Sequence, residues 1–277
     1  MNILTFDIEE WFAYQRPQYG NKEDYLPRLE CLLGRLLEDL EMLDVKATFF
    51  CLGAVARDYP KIIKLIHNNG HEIACHSDQH IWLTNFTPEQ FEYDTKIAID
   101  SLEQVIGSKI TSYRAPAFSI GEQNKWTLEV LVQNGIKNDA SIFPSNRDFG
   151  GFPSFSTYIP CTIKYNGIEI REFPIGIANL WGQDIAYSGG GYFRLVPYWF
   201  IKKLSQNNDY TMSYFHLRDF DVDQKRDLKF SLRYFKSYYG INKAYEKFHR
   251  YVNDFKFIDI QTANNQINWG NSPIIEL

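Results

Sequence analysis

ATFFCLGAVARDYPKIIKLIHNNGHEIACHS, residues 47–77, decides how the chain folds. Residues 47–53, ATFFCLG, form a continuous apolar run, as expected of a strand buried on both faces. Pro60 opens and Gly70 closes a helix, the usual punctuation for one. HEIACHS, residues 71–77, is a second strand. The same rhythm extends outward. Asn2 to Phe6 reads as a strand, and residues 26–43 read as a helix because Leu29, Leu32, Leu33, Leu36, Leu37, Leu40 and Leu43 recur at helical spacing. Residues 87–107 are a helix with Thr87 as N-cap and Gln90 completing a capping box. Residues 112–119 are a strand, 124–135 a helix ending at Gly135, and 136–142 a strand. Strict alternation of this kind argues for a parallel sheet closed or flanked by helices.

Residues 144–191 interrupt the alternation. They are rich in Gly, Pro, Ser and Tyr and contain a hairpin around Asn166-Gly167. A helix near 195–206 and the strand YTMSYFHL (210–217) restore it, residues 229–255 look helical and aromatic, and FIDIQT (257–262) reads as a last strand. No repeat, low-complexity tract or linker divides the chain. The expected organisation is therefore one domain over 1–277, with an insertion at about 144–191 and a C-terminal helical extension at about 229–255.

A length of 277 residues suits one large α/β domain. The net charge is −5 with no basic stripe, so nucleic acid is not an expected partner. Four widely spaced cysteines with no CxxC pair argue against a disulfide framework or a cysteine-based zinc site. The first strand begins at about Asn2, leaving no room for a signal peptide, and no apolar run approaches the roughly 20 residues that cross a bilayer. The expected location is cytoplasmic, with no integral membrane segment.

The chemistry gathers at strand ends. TFDIEEWF (5–12) closes the first strand with Asp7, Glu9 and Glu10, and buried carboxylates are costly unless paired or bound to a metal. In HEIACHSDQH, His76 and His80 can face one point, across a helical turn or around a tight loop. With a carboxylate from a neighbouring strand they make a two-His, one-carboxylate metal site. Asp7, His76, Arg114, Asp139 and His216 all fall at or near the carboxyl ends of strands, where ligands of parallel sheets sit. His71 opens its strand and His67 and His249 lie on helices, so these three read as structural.

Taken in order, these motifs resemble the polysaccharide deacetylases, the group that includes the nodulation chitooligosaccharide deacetylases (carbohydrate esterase family four). TFDIEEW stands where the family has Thr-Phe-Asp-Asp, and ATFFCLG resembles its second strand. GHEIACHSDQH (70–80) resembles its His-Ser/Thr-x-x-His motif, YRAPAFS its Arg-x-Pro motif, and NDASIFP and SYFHL its later Asp and His motifs. SGGGYFRLVPY (188–198) and FHLRDFDVDQKR are similar to a subgroup linked to exopolysaccharide synthesis. The resemblance spans about residues 3–226 and implies a distorted (β/α) barrel of seven or eight parallel strands. One departure stands out: the family has two adjacent Asp residues, and here Ile8 follows Asp7. Side chains alternate along a strand, so Glu9 shares the face of Asp7 and is the expected ligand, with Glu10 the competitor.

The resemblance implies one divalent metal on Glu9, His76 and His80, zinc first, with cobalt, nickel, manganese or iron as alternatives. It implies Asp7 as general base, Arg114 as the partner that keeps Asp7 ionised, and His216 as general acid. Asp139 would hold His216 in the useful tautomer, and a backbone N–H near Ala117 would hold the developing oxyanion. The glycine run, with Gly190, Gly191 and Tyr192, would wall a sugar groove, and Arg194 would meet an acidic or phosphorylated part of the substrate. Aromatics at Trp11, Phe12, Trp181, Tyr198 and Trp199 could stack on sugars, although such residues are more often core. The implied activity is removal of N-acetyl groups from amino sugars of a glycan or a lipid-linked precursor. The alternatives are a glycan-binding module without turnover, motivated by Ile8, and an amidohydrolase for non-sugar amides.

Overall fold

The computed structural model describes residues 1–9, 29–146, 150–180, 182–224, 226, 229 and 231–277. Glu10, Trp11, Phe12 and Trp181 lie outside the described residues.

Twelve strands are present among the described residues: β1 (Asn2–Ile8), β2 (Thr48–Cys51), β3 (Glu72–Cys75), β4 (Ser112–Tyr113), β5 (Asn138–Asp139), β6 (Cys161–Tyr165), β7 (Ile168–Glu172), β8 (Ala178–Leu180), β9 (Gln183–Ile185), β10 (Thr211–His216), β11 (Phe257–Ile258) and β12 (Ile274–Glu276). Ten form one sheet in the order β10-β1-β2-β3-β4-β5-β7-β6-β12, with β11 also pairing β1. From β10 to β7 every neighbour is parallel. The β6–β7 pair is antiparallel and is joined at Asn166-Gly167, both at positive φ (44° and 83°), as a two-residue hairpin requires. The result is an α/β fold with a mostly parallel sheet. No strand pairing among the described residues links β12 back to β10.

Between the strands lie the helices the periodicity predicts. Pro60–Asn68 begins at its proline, and Pro88–Ile106 carries the full capping box of Thr87 and Gln90 and ends at left-handed Gly107. Leu29–Met42, Thr127–Gln133, Tyr198–Gln206, Leu232–Tyr238 and Ala244–Asp254 fall within the expected segments. Several elements were not anticipated, among them the helices Gly53–Asp58 and Gly190–Leu195, the β8–β9 pair, the helix Ile260–Gln266 where the expected last strand continues, and the edge strand β12.

Strand parity divides the core. Leu4, Phe6 and Ile8 of β1 pack into the larger apolar cluster with the helices, where Phe6 stacks on Phe49 with ring centroids 5.0 Å apart. Ile3 belongs to a second cluster with Phe50, Ala74, Phe173 and Met212 on the opposite face. Asp7 shares the parity of Ile3, so the strand sends its acids to one face and Ile8 to the other. Ile8 therefore stands in the apolar core, not in the site. Ile8→Asp should not act as an extra ligand; it should cost at least about 3 kcal/mol in urea unfolding, because it buries a carboxylate with no partner.

Candidate active site

Asp7 is buried at the end of β1, and its Oδ1 accepts a hydrogen bond from Arg114 Nη1 at 2.8 Å. Arg114, just past β4, is fully buried. Its Nη1 also donates to Thr5 Oγ1 at 2.7 Å, its Nε donates to the Ala140 carbonyl at 3.2 Å, and its guanidinium lies 4.1 Å from the centre of the Phe50 ring. The ring face and the three oxygen acceptors around it make this a well-satisfied buried cation.

Glu9, His76 and His80 are buried together, each offering one ligand atom within 4.8 Å of the others. Glu9 Oε2 lies 2.7 Å from His80 Nε2 and 3.9 Å from His76 Nε2, and its Oε1 lies 3.4 Å from His216 Nε2. Neither Glu9 oxygen accepts a hydrogen bond of acceptable geometry. A buried carboxylate ringed by imidazole nitrogens and lacking hydrogen bonds fits a cation held among them. His76 Nδ1 is 2.8 Å from the Arg114 carbonyl, which can only accept, so Nδ1 carries the proton and the Nε2 lone pair is left for a ligand role. Burial opposes charge on His76 and pulls its pKa down to about 4, against the pull of Asp7. Burial works to raise Glu9, but His80, His216 and His76 outweigh it and hold the carboxyl well below the usual range.

The two candidate ligand histidines, His76 and His80, meet around a tight loop, not a helical turn. Ser77 and His80 both have positive φ, 68° and 57°, and Ser77 Oγ accepts from the His80 N–H at 3.0 Å. Arg57 grips Asp78 through two bonds of 2.6 and 2.9 Å, and Asp94 Oδ2 accepts from the Asp78 N–H at 3.0 Å. Gly53 has no room for a side chain there, since a Cβ would sit 2.3 Å from Asp78 Oδ1. This brace supports strained backbone at the site, and nothing in the HxxxH spacing announces it. His71 lies elsewhere, accepting from the Ala47 N–H at 3.2 Å.

His216 ends β10 directly beside Asp7, its register partner in the parallel pair, with Nε2 3.7 Å from Asp7 Oδ2. Its other nitrogen, Nδ1, is 3.2 Å from Asp219 Oδ2. Burial would lower the His216 pKa, but Glu9, Asp219 and Asp7 together raise it. Two sequence-based expectations are corrected here. Asp139 does not hold His216. It is the register partner of Glu172 on β7, its Oδ1 accepts from Ser141 Oγ, and burial pushes its pKa up to about 6 against the opposing hydrogen bonds with Glu172 and Ser141. Its place beside His216 is taken by Asp219, three residues along the same turn. Arg194 does not face a substrate. It is buried, and it bonds Asp219 Oδ1 through Nη1 and the Ser237 carbonyl through Nη2 at 3.0 Å.

Ala117 sits in the turn Pro116–Phe118 at φ 56°, and Tyr192 is exposed on the helix Gly190–Leu195. The glycine run is needed for close approach: a Cβ at Gly189 would lie 2.2 Å from the Tyr214 carbonyl oxygen of β10, and Gly190 has φ 52° against the Tyr214 ring. Tyr198 is tied to Asp254 by a 2.6 Å bond, whereas Trp199 is exposed.

Residues 3–138 match the polysaccharide deacetylase model and residues 140–265 match a domain of unknown function (DUF3473). Residues 3–138 of the chain are thus similar to the polysaccharide deacetylase family. The chain is 33% identical over 117 residues to a peptidoglycan-N-acetylglucosamine deacetylase of Bacillus cereus, covering 42% of each chain. It is 31% identical over 86 residues to a chitooligosaccharide deacetylase of Azorhizobium caulinodans, covering 31% of this chain and 38% of that one. The chain spans under half the length of the curated relatives it first matches, at 42%, 38% and 48%. A crystal structure from Mycobacterium smegmatis, assigned there provisionally as a polysaccharide deacetylase, aligns with TM-score 0.66 at 17% identity, covering 100% of this chain and 92% of that one. A carbohydrate esterase family 4 pseudoenzyme of Bacillus anthracis aligns with TM-score 0.53 at 11% identity, covering 100% and 69%. At such identities the structures bear on the fold alone.

Removing one partner of a buried pair leaves the other charge uncompensated. Arg114→Met should therefore cost about 3–5 kcal/mol in urea unfolding. Arg114→Met combined with Asp7→Leu, which removes both charges, should recover most of that loss in the same measurement.

Proposed function

We propose that this protein is a metal-dependent hydrolase that removes N-acetyl groups from amino sugars of a glycan. The observation that carries the reading is the buried Glu9–His76–His80 group with Asp7 and His216 beside it. Two imidazoles and one carboxylate suit zinc and leave positions open for water and substrate. A bound divalent cation would supply water activation and polarisation of the amide carbonyl. The chain's own residues do the rest. Asp7, oriented by its hydrogen bond from Arg114, accepts the proton of the attacking water. His216 donates through Nε2 to the departing amine, which leaves poorly unless protonated, while Nδ1 stays engaged with Asp219. A backbone N–H near Ala117 is the candidate donor to the oxyanion. The peptidoglycan and chitooligosaccharide deacetylases among the relatives favour an N-acetylated glycan as substrate.

Elemental analysis should find about one divalent metal per chain, since one two-His, one-carboxylate group is present among the described residues. Glu9→Gln should weaken the metal, with activity partly restored by excess metal, because an amide oxygen is a poorer ligand than a carboxylate. Asp7→Asn should keep the metal and lose turnover. His216→Ala should keep the metal and lose roughly 10²–10⁴ in kcat for acetate release from N-acetylated oligosaccharides. Metal binding without acetate release from any such substrate would favour a glycan-binding module instead. Full metal content in His76→Ala would overturn the ligand assignment.

A further inference from the structure

The proton donor proposed above does not come from the part of the chain that matches the deacetylase model. Asp7, Glu9, His76, His80 and Arg114 lie within residues 3–138, whereas His216 and everything that steadies it lie within 140–265, the region of unknown function. That steadying apparatus is buried and continuous. Asp219 sits behind His216, with Oδ2 accepting from the His216 backbone N–H at 3.0 Å and facing Nδ1 at 3.2 Å. Its Oδ1 is taken by Arg194, which lies in the helix Gly190–Leu195. Arg194 also holds the Ser237 carbonyl, tying that helix to the helix Leu232–Tyr238. Lys247 Nζ donates to the carbonyls of Phe193, Arg194 and Val196 at 3.0, 3.0 and 2.9 Å, satisfying the end of the same helix.

We propose that Arg194 is a positioning residue for deacetylation: by fixing the Oδ1 side of Asp219 it sets the tautomer and ring orientation of His216, and through it the region 140–265 supplies the acid half of the site. The carboxylate has two oxygens with two different duties. One turns the imidazole and the other is anchored, so the ring cannot rotate without breaking a buried ion pair. Arg suits the anchoring role because its planar fork can bind a carboxylate and a carbonyl at once, which the single ammonium of Lys does less well. The logic is that of a metal ligand's outer partners, whose loss leaves the group present but misaimed.

The proposal rests on His216 being the proton donor, and the test separates the two claims. The full chain, loaded with zinc, is compared with Arg194→Met, Asp219→Asn and the double variant, which removes both buried charges together and so does not leave one unpaired. Zinc per chain should be unchanged in all three. In acetate release from an N-acetylated oligosaccharide, each should lose about 10–100-fold in kcat with KM within about twofold. The double variant should lose no more than the worse single variant, because both act through His216. A readout independent of turnover comes from nitrogen-15 spectra of labelled histidine: the wild-type His216 Nδ1–H, bonded to Asp219, should give a downfield proton that is lost in each variant. A kcat for Arg194→Met within about twofold of wild type, or an Nδ1–H signal unchanged in it, overturns the positioning role. If the wild type releases no acetate while the Nδ1–H signal is present and disappears as stated, the deacetylase reading fails and the hold of Arg194 on His216 stands.

Discussion

The buried pair of Arg114 and Asp7 is the constraint from which the site follows. Burying two charges is unfavourable unless their remaining hydrogen-bonding capacity is filled. Here it is filled from several elements at once: Thr5 of β1, the carbonyl of Ala140 after β5, and the ring of Phe50 on β2. Arg114 thereby fixes Asp7 relative to three strands. Its own carbonyl reaches His76 and selects the tautomer that frees Nε2. One residue thus orients the candidate base with its side chain and a candidate ligand with its backbone. The Pro at 116 helps, because a residue before proline is driven to extended backbone, and Ala115 is found at φ −69°, ψ 135°.

Much of this was legible in the sequence, for reasons that can be named. The parity of β1 put Asp7 and Glu9 on one face and Ile8 on the other, and side-chain alternation does not depend on distant contacts. The helix from Pro88 was readable because its capping box is local. What was missed depends on topology or on pairs that no pattern reports. Asp139 looks like a catalytic carboxylate at a strand end until β7 is seen to lie beside β5, which brings Glu172 against it. That neighbour is reached only by skipping β6, the other arm of the hairpin. Arg194, beside the glycine run, reads as a cation for an acidic part of a substrate, and its partners Asp219 and Ser237 come from later in the chain. Asp219 did leave a signal, an acid three residues after His216 in FHLRD, but attention to strand ends alone passes over it. The strand β12, three residues at an edge, has too little pattern to read.

The two matched regions meet along β1 and β10, and this decides how the candidate base and candidate acid are spaced. β10 pairs β1 in parallel from Asn2 opposite Thr211 to Asp7 opposite His216. Neighbouring strands lie about 4.8 Å apart, so two side chains in register and on the same face must stand close together. The 3.7 Å between Asp7 Oδ2 and His216 Nε2 follows from that ladder and not from a loop. The region 140–265 is accordingly no appendage: it supplies β6, β7, β10 and β11 to the same sheet as β1. Backbone hydrogen bonds fix where the His216 Cα lies, which leaves rotation of its ring as the main freedom. That rotation is governed by the carboxylate of Asp219, and the carboxylate is governed in turn by the guanidinium behind it.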